Sequence, residues 1–206
     1  MQMGFYFNQQ LCINCRTCIV ACKDWHDLPA GPVSFIRMIS IEKGTCPDVS
    51  VHHVFGSCYH CENPACTAVC PVDAVKKREE DGVVVVDGAT CIGCKQCKMA
   101  CPYQAPQFEF REEAKMQKCD FCIDRLSENK KPICVDACIM KALDAGPLDE
   151  LQKKYGDCRQ AEGFVCSEKV IPSIIFSPKK MAKDLPVRKV IVSPPHPTAK
   201  SVDAEK

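Results

Sequence analysis

Along this 206-residue chain the spacing of apolar and polar positions changes repeatedly, and the changes mark short elements. Ser34–Glu42 and Val51–Phe55 have strand character, with a turn near Gly44 and Pro47 between them. Val72–Val75 finishes a short helix. Val75–Arg78 and Val83–Asp87 then read as two strands joined by Glu79-Glu80-Asp81-Gly82. The run Val83-Val84-Val85-Val86 is short and β-branched, which favours a strand over a helix. Ala142–Asp144 reads as another short strand. Pro147 suits the first turn of a helix through Leu148, Leu151 and Tyr155, ended by Gly156. Beyond about residue 170, Pro172, Pro178, Pro186, Pro194, Pro195 and Pro197 interrupt Val/Ile patches, so that stretch is expected to run extended. No run of 18 apolar residues occurs, and no membrane span is predicted.

Elements this short leave little for a large apolar core, and the cysteines suggest what replaces it. Nineteen in 206 residues is near the level that marks a chain held together covalently or by metal. An odd count, the chain length and the absence of a secretory leader in MQMGFYFNQQLC argue against a disulfide scaffold. Sixteen of the nineteen fall into four groups. Cys12, Cys15, Cys18 and Cys22 are spaced C-x2-C-x2-C-x3-C, and Cys91, Cys94, Cys97 and Cys101 repeat that spacing. Cys58, Cys61, Cys66 and Cys70 follow C-x2-C-x4-C-x3-C, and Cys119, Cys122, Cys134 and Cys138 follow C-x2-C-x11-C-x3-C. Three cysteines two residues apart cannot share one helix face, but they can line a tight loop around three corners of a cubane. In two-cluster ferredoxins the fourth cysteine ligates the other cluster and is followed by proline. Cys70-Pro71 and Cys101-Pro102 keep that proline, whereas Lys23 and Ile139 replace it in the outer groups. Structural zinc remains a competitor for the fourth group read alone, but not for groups packed into eleven residues.

The charge balance, 27 basic against 26 acidic residues, gives no sign of a nucleic-acid partner. With sixteen thiolates on four cubanes of +2 core charge, the formal +1 becomes about −7. The ten glycines form neither G-x-G-x-x-G nor a Walker loop, and no Ser/His/Asp set stands out, so the chain is not expected to be an enzyme alone. The expected fold is α+β. Groups two and three form one two-cluster ferredoxin-like module over 57–106. Groups one and four form, by elimination, a second module over 1–56 and 107–157 into which the first is inserted. Residues 158–206 form an extended Pro-rich tail, and the chain without its clusters is expected to be largely unfolded.

The four-group order, with CENPACTAVCPVDAV, CIGCKQCKMACPYQAP and KCDFCIDR…KKPICVDACIMKAL, resembles the electron-transfer subunit of dimethyl sulfoxide reductase and related molybdopterin enzymes over roughly residues 4–155. The resemblance implies four [4Fe–4S] clusters relaying electrons to or from a large molybdenum- or tungsten-pterin catalytic subunit, with a membrane anchor or soluble carrier on the other side. It also implies a pairing. Cys12, Cys15 and Cys18 join Cys138, and Cys119, Cys122 and Cys134 join Cys22. Cys58, Cys61 and Cys66 join Cys101, and Cys91, Cys94 and Cys97 join Cys70. The tail becomes an arm over a partner, with Ile174, Ile175, Phe176, Val190 and Ile191 as contacts. A free polyferredoxin serving several enzymes is the alternative, which such an arm argues against. The expected location is cytoplasmic, or on a membrane through partner subunits, with export on a partner's twin-arginine signal open.

Outside the groups, Cys46, Cys158 and Cys166 read as incidental thiols. His26, His52, His53, His60 and His196 occupy no motif position and read as surface or hydrogen-bonding residues. Tyr59, Tyr103 and Phe121, beside ligands, are expected to shield clusters from water. Lys95, Lys98, Lys115 and Lys118 are solvated charges by default, with a tuning effect on cluster potential as the sharper reading.

Overall fold

The computed structural model describes residues 1–109, 113–179 and 185–194; Pro195, His196 and Pro197 lie outside them. Along the chain come strand β1 (Met3–Asn8), helix α1 (Thr17–Trp25), strands β2 (Arg37–Thr45) and β3 (Asp48–Gly56), and helix α2 (Ala65–Ala68). Strands β4 (Val75–Lys77) and β5 (Val84–Val86) and helices α3 (Gln96–Ala100), α4 (Ile123–Ser127) and α5 (Ile133–Asp136) follow. Strand β6 (Leu143–Pro147), helix α6 (Leu148–Tyr155), and strands β7 (Ile174–Ser177) and β8 (Val187–Ser193) complete the order.

Three small sheets result, ordered β6-β1-β7, β3-β2-β8 and β4-β5. In the first, β1 pairs antiparallel with β6, Phe5 opposite Ala145, and parallel with β7, Phe5 opposite Ile174. This sheet joins the start of the chain to residues from Leu143 onwards, and α1 packs on α5 to the same effect. In the second, the β2–β3 hairpin runs in unbroken register from Arg37↔Gly56 to Thr45↔Asp48. Both strands outrun their predicted bounds at the turn, because ladder hydrogen bonds carry the pairing past the last apolar residue. Helix α6 has acidic Asp149 and Glu150 in its first turn and Lys153 and Lys154 in its last, matching the helix dipole, and ends at Gly156 with φ 85°.

Strand β1, which its pattern alone did not single out, alternates Phe5 and Phe7 towards the core with Tyr6 towards α6. The core is more substantial than expected. Phe5, Phe7, Phe55, Phe121 and Phe176 are all at most 1% exposed, and the Phe5 ring lies 4.6 Å from Phe121 and 5.7 Å from Phe55. On the far face Tyr6 stacks on Tyr155 with ring centres 3.6 Å apart. The tail reading needs correction for one segment. Ile174, Ile175 and Phe176 are 0%, 0% and 1% exposed, buried by the chain's own β1 and α6 rather than offered to a partner. Val190 and Ile191 lie on the sheet-edge strand β8, where Val190 remains 37% exposed.

Candidate metal centre

None of the nineteen cysteines is in a disulfide. Each of the four groups begins with the same backbone device. The residue just before the second cysteine is left-handed in every group: Asn14 (φ 57°), His60 (φ 44°), Gly93 (φ 72°) and Phe121 (φ 66°). Only one of these is glycine, so three loops carry a conformation that costs about 1 kcal/mol or more for a side-chain-bearing residue. The turn aims amide hydrogens at sulfur. Gly93 N donates to Cys91 Sγ at 3.5 Å and Phe121 N to Cys119 Sγ at 3.4 Å. Such concave rows of N–H groups favour anionic sulfur. A second left-handed residue, Arg16 or Lys95, then starts α1 or α3, which point away from the loop.

The thiols converge in sets of four drawn from two groups each. One cavity is lined by Cys12, Cys15, Cys18 and Cys138 with Phe7 and Phe55. Burial first, and then the neighbouring Cys12, Cys138 and Cys15, push the Cys18 thiol up to about 12. A second cavity is lined by Cys58, Cys61, Cys66 and Cys101 with Tyr59 and Tyr103. Burial and then Cys58 push Cys66 up to about 12. Cys134 is raised well above an ordinary thiol by burial and then by Cys119, Cys22 and Cys122. Cys97 is pushed up to about 11 by burial and then chiefly by Cys94, with Cys91 and Cys70 adding to it. Without a cation the raised thiols Cys18, Cys66, Cys97 and Cys134 keep their protons, while a cationic core at the centre of each set would hold them as thiolates. Four sulfurs around one point fit the corners of a cubane.

The sets act on one another in succession. Cys97 neighbours Cys66, Cys58 neighbours Cys119, and Cys18 neighbours both Cys22 and Cys134. Cys15 and Cys94, at opposite ends of this succession, are exposed.

Comparison with known proteins agrees with this donor pattern. Two family profiles described as 4Fe–4S dicluster domain match residues 11–74 and 49–148. The sequence is 45% identical to the B component of anaerobic dimethyl sulfoxide reductase of Escherichia coli over 185 residues, 86% of this chain and 89% of the relative. This chain therefore belongs to that iron–sulfur subunit family. It is also 38% identical to the B component of sulfite dehydrogenase of Allochromatium vinosum, over 66% of this chain and 65% of the relative. With the formate dehydrogenase iron-sulfur subunit of Wolinella succinogenes it shares 36% identity, over 73% of this chain and 84% of the relative. Membership makes the chain a non-catalytic electron-transfer subunit of an oxidoreductase complex, carrying [4Fe–4S] clusters.

For a member of this family, the groups that surround the sulfurs matter as much as the sulfurs. Tyr59 is 2% exposed, donates to Phe55 O at 2.6 Å and meets Tyr103 edge-on at 4.9 Å. Burial pushes Tyr103 up to about 12, so both phenols stay neutral. Phe121 is fully buried against Phe5 and His60. His60, in the loop between Cys58 and Cys61, is 0% exposed, accepts from Val84 N at 2.9 Å through Nδ1, and is held neutral by burial and then by Lys118 and Lys77. His52 and His53 hydrogen-bond Ser50 and Ser40.

Two partners were not legible from the motifs. His26 Nε2 lies 3.4 Å from Cys122 Sγ and 3.6 Å from Asp120, one helical turn beyond Cys22. These three donors could in principle hold an ion, but Cys122 already belongs to a four-thiol set, so His26 is read as its hydrogen-bond partner. Arg37 opens β2, is 8% exposed, and donates through one nitrogen to Tyr103 O and Gln104 O, both at 2.9 Å, in the loop after Cys101. Among the four lysines, Lys95 is exposed as the solvated reading has it, whereas Lys118 is only 4% exposed. Cys46 and Cys158 are exposed and Cys166 half-buried, outside the four sets.

Proposed function

We propose that the sixteen grouped cysteines ligate four [4Fe–4S] clusters in the four sets described, and that electrons cross the chain in the order of those sets. The succession runs from Cys70/91/94/97 through Cys58/61/66/101 and Cys22/119/122/134 to Cys12/15/18/138. The observation that carries this reading is that four cysteines from two groups line one cavity, twice over, while the sulfurs of successive sets lie close enough to act on one another electrostatically and the two end sets each present one exposed sulfur. Bound clusters supply reversible one-electron chemistry. The chain's own residues hold them in line, exclude water with Phe121, Tyr59 and Tyr103, and present the two ends to partners.

The family relationship and the exposed ends support a large molybdenum- or tungsten-pterin catalytic subunit at one end and a membrane anchor or soluble carrier at the other. Pairing of β1 with β6 and packing of α1 on α5 support an outer module formed by both flanks of an inserted inner one. Within the tail, the partner-facing role is assigned to β8, whose Val187 and Val190 are 48% and 37% exposed. No helix among the described residues is long and apolar enough to cross a membrane. Membrane association and export are assigned to partner subunits.

The test is iron, sulfide and EPR analysis of the anaerobically purified protein. Iron near sixteen per chain is expected from four cubanes. Cys91→Ser loses or converts one cluster, whereas Cys166→Ser keeps all four. A normal spectrum for Cys91→Ser rejects the ligand assignment. Co-elution of a large subunit with molybdenum or tungsten supports the partner reading, and its absence with full iron points to a free carrier.

A further inference from the structure

The two middle sulfur sets sit in opposite electrostatic surroundings. Around Cys58, Cys61, Cys66 and Cys101 the buried charges are cationic. Lys118 lines that cavity, 4% exposed, and donates its ammonium hydrogens to Val84 O and to Cys119 O, the latter at 2.9 Å. Arg37, 8% exposed, hydrogen-bonds the loop after Cys101 and leaves its other terminal nitrogen, Nη1, buried without a partner among the described residues. Among the described residues neither cation has a carboxylate within ion-pair distance. Lys77 adds a third positive group, donating to Cys61 O at 3.1 Å, although Glu62 accompanies it. Guanidinium carries its charge at any working pH, and two unpaired buried cations are expensive unless an anion faces them.

Around Cys22, Cys119, Cys122 and Cys134 the near charges are mainly acidic. Asp120 Oδ1 accepts from Cys122 N at 2.8 Å, faces His26 Nε2 at 3.6 Å and acts on Cys22, Cys119 and Cys122, and Asp124 also acts on Cys122. Arg125 opposes them there, but it is ion-paired with Asp136. Reducing a cluster adds one negative charge, so it is easier beside the buried, little-screened cations and harder beside the carboxylates, whose effect is the smaller because Asp120 is 42% exposed and Asp124 exposed.

On the ligand assignment proposed above, we infer that Arg37 and Lys118 hold the Cys58/61/66/101 cluster at a higher reduction potential than its Cys22/119/122/134 neighbour, which Asp120 and Asp124 hold low. An electron crossing the middle of the chain therefore meets a well beside a step. The two residues tune by charge; neither is a ligand.

The experiment is an EPR-monitored redox titration of the holoprotein with iron and sulfide counted in each sample. Cys58→Ser and Cys122→Ser each remove one signal and so identify the two clusters. Lys118→Met is expected to lower the reduced-to-oxidised ratio of the Cys58-dependent cluster at least tenfold at fixed poise, which is 59 mV for a one-electron couple. Lys118→Arg keeps that midpoint. Asp120→Asn, at a side chain 42% exposed, raises the midpoint of the Cys122-dependent cluster. With iron unchanged, a Lys118→Met protein whose four midpoints stay in place overturns the inference, as does a shift confined to the Cys122-dependent cluster. If Lys118→Met sheds iron, Asp120→Asn decides: an unmoved Cys122-dependent midpoint overturns it. Full iron in Cys58→Ser instead rejects the ligand assignment, and the inference falls with it.

Discussion

Cutting the chain after residue 157 removes the stretch that composition reads as an external arm, and the structure makes the consequence calculable. The cut deletes β7, whose Ile174, Ile175 and Phe176 are 0%, 0% and 1% exposed. A fully buried side chain of this size contributes about 1.5–3 kcal/mol, so three contribute roughly 5–9 kcal/mol. The parallel ladder from Phe5↔Ile174 to Asn8↔Ser177 goes with them, leaving β1 an open edge. Net domain stability is about 5–15 kcal/mol, so this loss is comparable to the whole. A chain of residues 1–157 is therefore expected not to retain its iron. A chain of residues 1–179 keeps β7 and, of the elements among the described residues, loses only β8, whose side chains are exposed or half-buried, and is expected to retain its iron.

The assay is iron per chain after anaerobic purification, followed by thermal loss of the broad iron–sulfur absorbance. Phe176→Ala in the full chain supplies the graded version. A buried Phe→Ala change costs about 3–5 kcal/mol, which lowers the melting temperature of a chain this long by about 10 °C. Full iron and an unchanged melt in the 1–157 chain would refute the burial argument, and would return residues 158–179 to the status of an arm.

Three further outcomes are expected. Gly93→Ala places a Cβ 2.8 Å from Ala114 O in a loop with φ +72°, so destabilisation of about 1–3 kcal/mol is expected, read by urea midpoint. Phe121→Ala empties a fully buried site between the two middle sulfur sets, and should speed loss of cluster absorbance in air, with Phe121→Leu intermediate; equal rates reject the shielding role. Burial raises the Asp144 carboxyl, but Lys131, Tyr155, Lys154 and the Ala145 amide outweigh it and bring it down to about 2. Its stabilisation is thus complete above the unfolded value of about 3.9 and is lost as pH falls towards 2. Because both lysines are exposed, Asp144→Asn is expected to cost only about 1–2 kcal/mol at pH 7, and the gap should close as the pH is lowered below about 4.

What the sequence disclosed and what it withheld follow from the range of the forces involved. Cysteine spacing is local, so the four groups could be read directly from the sequence, the fourth less sharply because eleven residues separate Cys122 from Cys134. Helix α6 was equally legible, since Pro147, the charges of its turns and Gly156 all act within one helical turn. Strand β7 was not, because IIFS between two prolines looks the same whether a partner or the chain's own β1 covers it; only the long-range pairing decides. Arg37 was hidden for a related reason. A lone arginine between Ile36 and Met38 at the start of a strand gives no sign that it will reach a loop 66 residues away.

The fourth sulfur of each set is where local and long-range order meet. Cys22 closes a set with Cys119, Cys122 and Cys134 only because α1 packs against α5, and Cys138 reaches Cys12 only because β6 pairs with β1. On the proposed assignment, iron binding at these two sets therefore cross-links the first 25 residues to residues 119–147. Thiols whose protons are held by burial and mutual repulsion cannot supply that cross-link themselves. Folding of the outer sheet and cluster loading are then one event, in the manner of structural metals whose binding energy is folding energy. Loss of a ligand such as Cys138 should loosen both ends of the chain, whereas loss of Cys94 should loosen only the region around residues 70–97.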